Sequence, residues 1–103
     1  MVNPQKENVN FEAFCDMDIR VGTIIAAEKV KKTKKLLKLT VDTGIDTRTV
    51  VSGIAAYYQP DEIIGKQVSV LVNLAPRIIK GIESQGMVLM AEDKDGTLQF
   101  VAP

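Results

Sequence analysis

Histidine is absent from this chain, and cysteine occurs once, at position 15. Those shortages remove the usual ligands of zinc and most transition-metal sites, along with Ser-His and Cys-His nucleophile pairs. A lone cysteine closes no internal disulfide and fits a reducing compartment, so a cytoplasmic protein is expected. Cys15 itself, close in sequence to Phe11 and Phe14, reads as a small buried hydrophobe. Neither a glycine-rich phosphate loop nor a dinucleotide fingerprint occurs. Two acidic pairs, Asp16 with Asp18 and Glu92 with Asp93, read as solvated surface or turns. The expectation is therefore a chain with no catalytic residues, no cofactor and no metal. Long apolar runs are missing too: none approaches the ~20 residues a membrane helix needs. The N-terminus lacks the charged-then-apolar pattern of a secretory signal.

The 103 residues fit one domain, and a composition of 46% hydrophobic and 25% charged is that of a soluble globular protein. Basic and acidic residues balance at 13 each, but they are not mixed. Lys29, Lys31, Lys32, Lys34, Lys35 and Lys38 occupy a window that contains no acid. The acids gather instead at Glu12, Asp16 and Asp18 and at Glu92, Asp93 and Asp95. A neutral chain with one basic pole fits a local polyanion site better than a generally adhesive surface.

Residues 1–10 are polar and contain Pro4, and they read as a disordered lead-in or linker ahead of a domain over 11–103. Asn10 is placed to cap a short helical turn with Phe11 and Phe14 facing inward. Ile19–Ala27 is rich in β-branched residues, with an uneven phase around Gly22 that predicts a bulge or bend. After the basic KVKKTKK loop, Leu37, Leu39 and Val41 alternate with polar residues as in a half-buried strand. DTGID turns the chain into a returning strand, TRTVVSGI. Pro60, Asp61, Glu62 and Gly65 have the order of a short helix from start to cap. Val68, Val70, Val72 and Leu74 recur with a period of two until Pro76 ends the strand. Met87–Ala91 reads as a strand buried on both faces, and Asp95-Gly96 as the turn of a last hairpin with Leu98, Phe100 and Val101. Tyr57 and Tyr58 suit the core or a contact with another subunit.

The sum is an all-β chain: a five-stranded barrel with one short helix between strands 3 and 4. That is the arrangement of the OB-fold, which binds oligonucleotides at the loops joining strands 1–2 and 4–5. The two most basic loops fall at those places. The first is the lysine window. The second, Asn73–Gly86, carries Asn73, Arg77, Lys80, Ser84 and Gln85, with Gly81 and Gly86 able to take backbone angles other residues avoid. Taken singly, Arg77 also fits a structural ion pair, Asn73 and Ser84 fit turns, and Met87 fits the core. The strands beside the loops carry almost no aromatic residues, which points to reading of phosphate backbone and RNA shape rather than base stacking.

The motifs DIRVGTI, KLLKLTVD, TVVSGIAAYY and NLAPR…GIESQGM, in that order and spacing, resemble the tRNA-binding domain found at the C-terminus of methionyl-tRNA synthetases. The same module occurs in free-standing bacterial tRNA-binding proteins and in the endothelial-monocyte-activating polypeptide group. The resemblance spans Phe11 to Val101. It implies an OB-fold that binds tRNA by shape, homodimerisation, and covalent linkage to a synthetase catalytic domain. By motif position it places Asn73, Arg77, Ser84, Gly86 and Met87 in or beside the tRNA site, with Lys35 and Lys38 on the same side. Two departures stand out. Ile78 occupies a position that often holds a second cation, with Lys80 as a compensating charge, and the family pattern continues past Pro103 into a tail that helps form the dimer. The alternatives are a free-standing dimeric tRNA-binding protein and a chaperone-like protein-interaction dimer of the same fold.

Overall fold

A computed structural model describes residues 4–103. Of the expected lead-in, residues 1–3 lie outside the described residues, and residues 4–10 are exposed and form neither helix nor strand. The chain then runs through α1 (Phe11–Cys15), β1 (Ile19–Lys29), β2 (Leu37–Asp42), β3 (Thr47–Ser52), α2 (Pro60–Ile63) and β4 (Gln67–Leu71). It ends with β5 (Arg77–Ile79), β6 (Ile82–Ser84), β7 (Met87–Val88), β8 (Met90–Glu92) and β9 (Leu98–Phe100). Five strands form one antiparallel sheet in the order β3-β2-β1-β4-β7, curled into a nearly closed OB-like barrel.

The barrel closes because the period-two residues of its strands fill it. Leu37, Leu39 and Val41 of β2 are fully buried, as are Val68 and Val70 of β4, and Ile24, Val50, Ile54, Ile63 and Val88 complete the core. Each such side chain contributes roughly 1.5–3 kcal/mol of burial. α2 stands between β3 and β4 as expected. The Gln59 N–H donates to the Glu62 carboxylate at 2.6 Å, Pro60 occupies the first turn, and Ile63 drops into the barrel end. Gly65, at φ +90°, then turns the chain so that its N–H donates to the Ile24 carbonyl at 2.7 Å.

Several expectations need correction. Asn10 does cap α1, accepting the Ala13 N–H at 2.8 Å. Phe11 and Phe14, however, are 72% and 56% exposed, and Cys15 is exposed as well. A five-residue helix outside the barrel buries none of its residues, and its two rings lie beside each other with centroids 6.4 Å apart. The irregularity in β1 lies between Ile24 and Ala26. Gly22 answers a need for space instead: a Cβ there would meet Val41 Cγ1 at 2.7 Å and Val70 Cγ2 at 2.9 Å. Met87–Ala91 is not one buried strand. Its first part pairs with β4 and its last with β9, leaving Met87, Ala91 and Glu92 exposed. The last hairpin forms about Asp95-Gly96. Tyr58 packs on Phe100 at 4.8 Å between centroids and donates its hydroxyl to the Leu98 carbonyl at 3.1 Å, while Tyr57 lies exposed.

Candidate nucleic-acid interface

The segment between β4 and β7 is a hairpin rather than an open loop. β5 and β6 pair as Arg77 with Ser84, Ile78 with Glu83 and Ile79 with Ile82. Only Lys80 and Gly81 join them, at φ 52° and 78°. Two successive positive φ angles are those of a type I′ turn, whose twist matches that of the flanking strands. The sequence alone reads as one long loop here; the glycine after Lys80, between Ile78-Ile79 and Ile82, is the signal that could have revealed the turn.

This hairpin carries Lys80 to the lysine window. One concavity of about 300 Å³ is lined by Lys29, Lys31, Lys38 and Lys80 around Val30 and Ile82. A second, of about 330 Å³, is lined by Lys32, Lys34, Lys35 and Lys80. Lys80 therefore stands between both, and all six lysines of the window surround it. One acid shares the site: Glu28 faces Lys38 at 3.4 Å. An exposed pair of this kind contributes at most about 1 kcal/mol, so the surface stays positive. The backbone beneath is fixed. Val30 is buried, and its carbonyl accepts the Thr33 hydroxyl at 2.9 Å. The Lys35 carbonyl accepts the Ala55 N–H at 3.0 Å. The charged ends are thus presented on an ordered loop.

The other expected residues lie elsewhere. Arg77 is exposed at the base of β5, roughly 10 Å along the strand from Lys80, and it has no ion-pair partner among the described residues. Asn73 is occupied by the fold: its Oδ1 accepts the Asp18 N–H at 2.8 Å, and its Nδ2 donates to the Asp16 carbonyl at 2.6 Å. Ser84 is buried, its Oγ accepting the Val51 N–H at 3.0 Å and donating to the Gly86 carbonyl at 3.4 Å. Gly86 is buried at φ +146°, where a Cβ would meet the Leu71 carbonyl oxygen at 2.8 Å. Met87, opposite Leu71, is partly exposed on the outward face of β4 and β7. Lys80 thus joins the six lysines, whereas Ser84 and Gly86 are buried where the hairpin returns to the barrel and Asn73 ties the exit of β4 to the segment before β1.

Sequence reading gave no role to Arg48. Its Nε donates to the Asp46 carboxylate at 2.9 and 3.1 Å. Its Nη1 donates to the carbonyls of both Val72 and Gln85, the latter at 3.2 Å. The Arg48 hydrogen bond, followed by that of the Thr43 hydroxyl, holds the Asp46 carboxyl below its ordinary range. Gln85 adds a reciprocal pair with β3: its N–H donates to the Thr49 carbonyl at 2.8 Å, and its Oε1 accepts the Thr49 N–H at 3.0 Å.

Among the described residues no group of three or more acids or cysteines is disposed to hold a metal, and no helix is long and apolar enough to cross a membrane. Residues 19–103 match the family described as "Putative tRNA binding domain". The chain is 72% identical over 102 residues to a "Methionine--tRNA ligase" of Cytophaga hutchinsonii, covering 99% of this chain and 15% of that protein. It is 65% identical to the protein of the same name from Flavobacterium psychrophilum, covering 97% and 15%. The chain thus spans about 15% of the length of these curated relatives. Among solved structures it resembles a MetRS related protein from Pyrococcus horikoshii, at 42% identity, TM-score 0.87 and coverage of 95% and 90%. It also resembles the chaperone CsaA of Bacillus anthracis, at 28% identity, TM-score 0.83 and coverage of 94% and 90%.

Proposed function

Because this chain belongs to the tRNA-binding domain family, we propose that it binds folded tRNA with the two lysine-lined concavities at the tip of the β5–β6 hairpin. The observation that carries this reading is the convergence of Lys80 with Lys29, Lys31, Lys32, Lys34, Lys35 and Lys38. Seven ammonium groups on an ordered backbone form a fixed grid for phosphates, and lysine serves as a point charge suited to a backbone rather than to base edges. Arg77 extends the grid along β5. No aromatic residue lines either concavity, which supports shape and phosphate spacing as what is read.

The domain performs no chemical step. As part of a cytoplasmic methionine–tRNA ligase it would raise the local concentration of tRNA at a catalytic site on another part of the protein. It begins at α1 and pairs with a second copy. Support for pairing comes from the outward face of β1, β4 and β7. There Ile19, Val21 and Met87 are exposed beside Leu71 and Val101, with Ile19 and Met87 both opposite Leu71. Val21→Lys should convert a dimer to a monomer in sedimentation equilibrium, and a wild type that sediments as a monomer would remove that part of the reading.

Fluorescence anisotropy with folded tRNA and an unstructured RNA of equal length, over a salt series, tests RNA binding. The expected result is preference for the folded RNA and a steep loss of affinity with salt. Equal binding to both would leave only polyanion attraction. Binding of unfolded protein chains instead, independent of salt, would favour a chaperone-like role such as the CsaA name describes.

A further inference from the structure

We propose that Arg48 and Gln85 are positioning residues for RNA binding: they clamp the feet of the β5–β6 hairpin and thereby set where Lys80 meets the lysine window. The inference rests on the RNA-binding reading above and assigns that function to two residues that lie outside both lysine-lined concavities.

Lys80 is carried at the tip of the hairpin, whose β6 strand lies on β3 with the Ser84 Oγ accepting the Val51 N–H. The hairpin leaves the barrel after Val72 and returns at Gln85, and one guanidinium nitrogen of Arg48 donates to the carbonyls at both of those points. The two feet are therefore pinned to each other as well as to β3. Gln85 binds Thr49 of β3 through both its backbone and its side chain. Asp46 holds Arg48 through Nε, and the Arg48 side chain is only 19% exposed. Its charge is thus directed at carbonyls and a carboxylate of the protein. Three residues of strand make an arm of about 10 Å. A tilt of about 15° at its base would move the tip by about 2–3 Å, enough to break a charge-assisted hydrogen bond of normal length. Lysine at position 48 would keep the charge but not the fork that serves Asp46, Val72 and Gln85 together.

The test is a double-mutant cycle on folded tRNA binding, with Arg48→Lys, Gln85→Met, Lys80→Ala and each combined with Lys80→Ala. Circular dichroism and thermal midpoints confirm folding. Lys80→Ala should weaken binding about tenfold and make the log-affinity against log-salt slope shallower by about 1. Arg48→Lys and Gln85→Met should each give a similar loss and a similar change of slope. In the Lys80→Ala background either change should cost less than about twofold further, because the contact they position is already gone. A purely structural role would lower the thermal midpoint without touching the salt slope. The proposal is overturned if Arg48→Lys and Gln85→Met, both folded, bind as wild type, or if their losses multiply with that of Lys80→Ala. If Arg48→Lys does not fold, the Gln85→Met arm decides alone. If Lys80→Ala and Lys35→Ala both bind as wild type, the lysine-site reading falls, and the inference with it.

Discussion

The Ser84 hydroxyl accepts the Val51 N–H at 3.0 Å across the seam where the β5–β6 hairpin lies on β3. Both groups are buried. Val51 follows Val50 in the core, so its own side of the strand would face water if the hairpin did not cover it. Ser84 supplies the acceptor that this covered backbone position requires.

Ser84→Ala should therefore act on stability first. It leaves a buried N–H without a partner, at a cost of about 1–3 kcal/mol. Urea unfolding should show the loss, and because Ser84 also ties the hairpin to β3, any fall in tRNA affinity of the folded protein should be absent in the Lys80→Ala background. A large affinity loss with unchanged stability would assign the hydroxyl to the RNA instead.

Lys80 sits at φ 52° in its turn, a conformation that disfavours most residues by about 1–2 kcal/mol. Asparagine accepts that conformation more readily and would create the Asn-Gly pair that type I′ turns favour. Lys80→Asn should raise stability by about 0.5–1 kcal/mol in denaturant titration and weaken tRNA binding. Lower stability would show that the turn does not strain the lysine.

Asp46 gives the fold an acid limit. Its folded pKa lies below the unfolded value of about 3.9. The stabilisation is therefore present above the unfolded pKa and is lost as pH falls through the folded one. Asp93 acts in the same direction, chiefly because it accepts the Asp95 N–H and also because it bonds Gln99 and Thr97. Thermal midpoints should hold from neutrality to about pH 4 and decline below it. Asp46→Asn should flatten part of that decline, and an unchanged acid limb would exclude Asp46 as a source.

The parts of the fold legible in the sequence were those with strict periodicity or strong punctuation. Leu37, Leu39 and Val41, or Val68 and Val70, can alternate only in a strand with one buried face. Pro60 through Gly65 marks a helix at both ends. The parts not legible depend on residues distant in sequence. Phe11 and Phe14 have the spacing of a buried helical face, but nothing local says that the barrel is already filled. Asn73 and Ser84 are polar residues in a basic segment. Only the folded chain shows their hydrogen bonds spent on Asp16, Asp18 and Val51. Arg48 lies in an ordinary alternating strand, and its two carbonyl partners come from beyond α2. The lysine window was legible as charge, whereas its meeting with Lys80 required a two-residue turn that had been read as part of a longer loop.

The most direct test is to record amide chemical shifts of the isotopically labelled domain during titration with folded tRNA. The largest changes should fall at residues 29–38 and 77–84, with Lys80 and its neighbours prominent and the outward face of β1 and β4 quiet. Changes centred on α1 or on the Ile19–Val21 face, with the lysine window unmoved, would contradict the assignment of the RNA site.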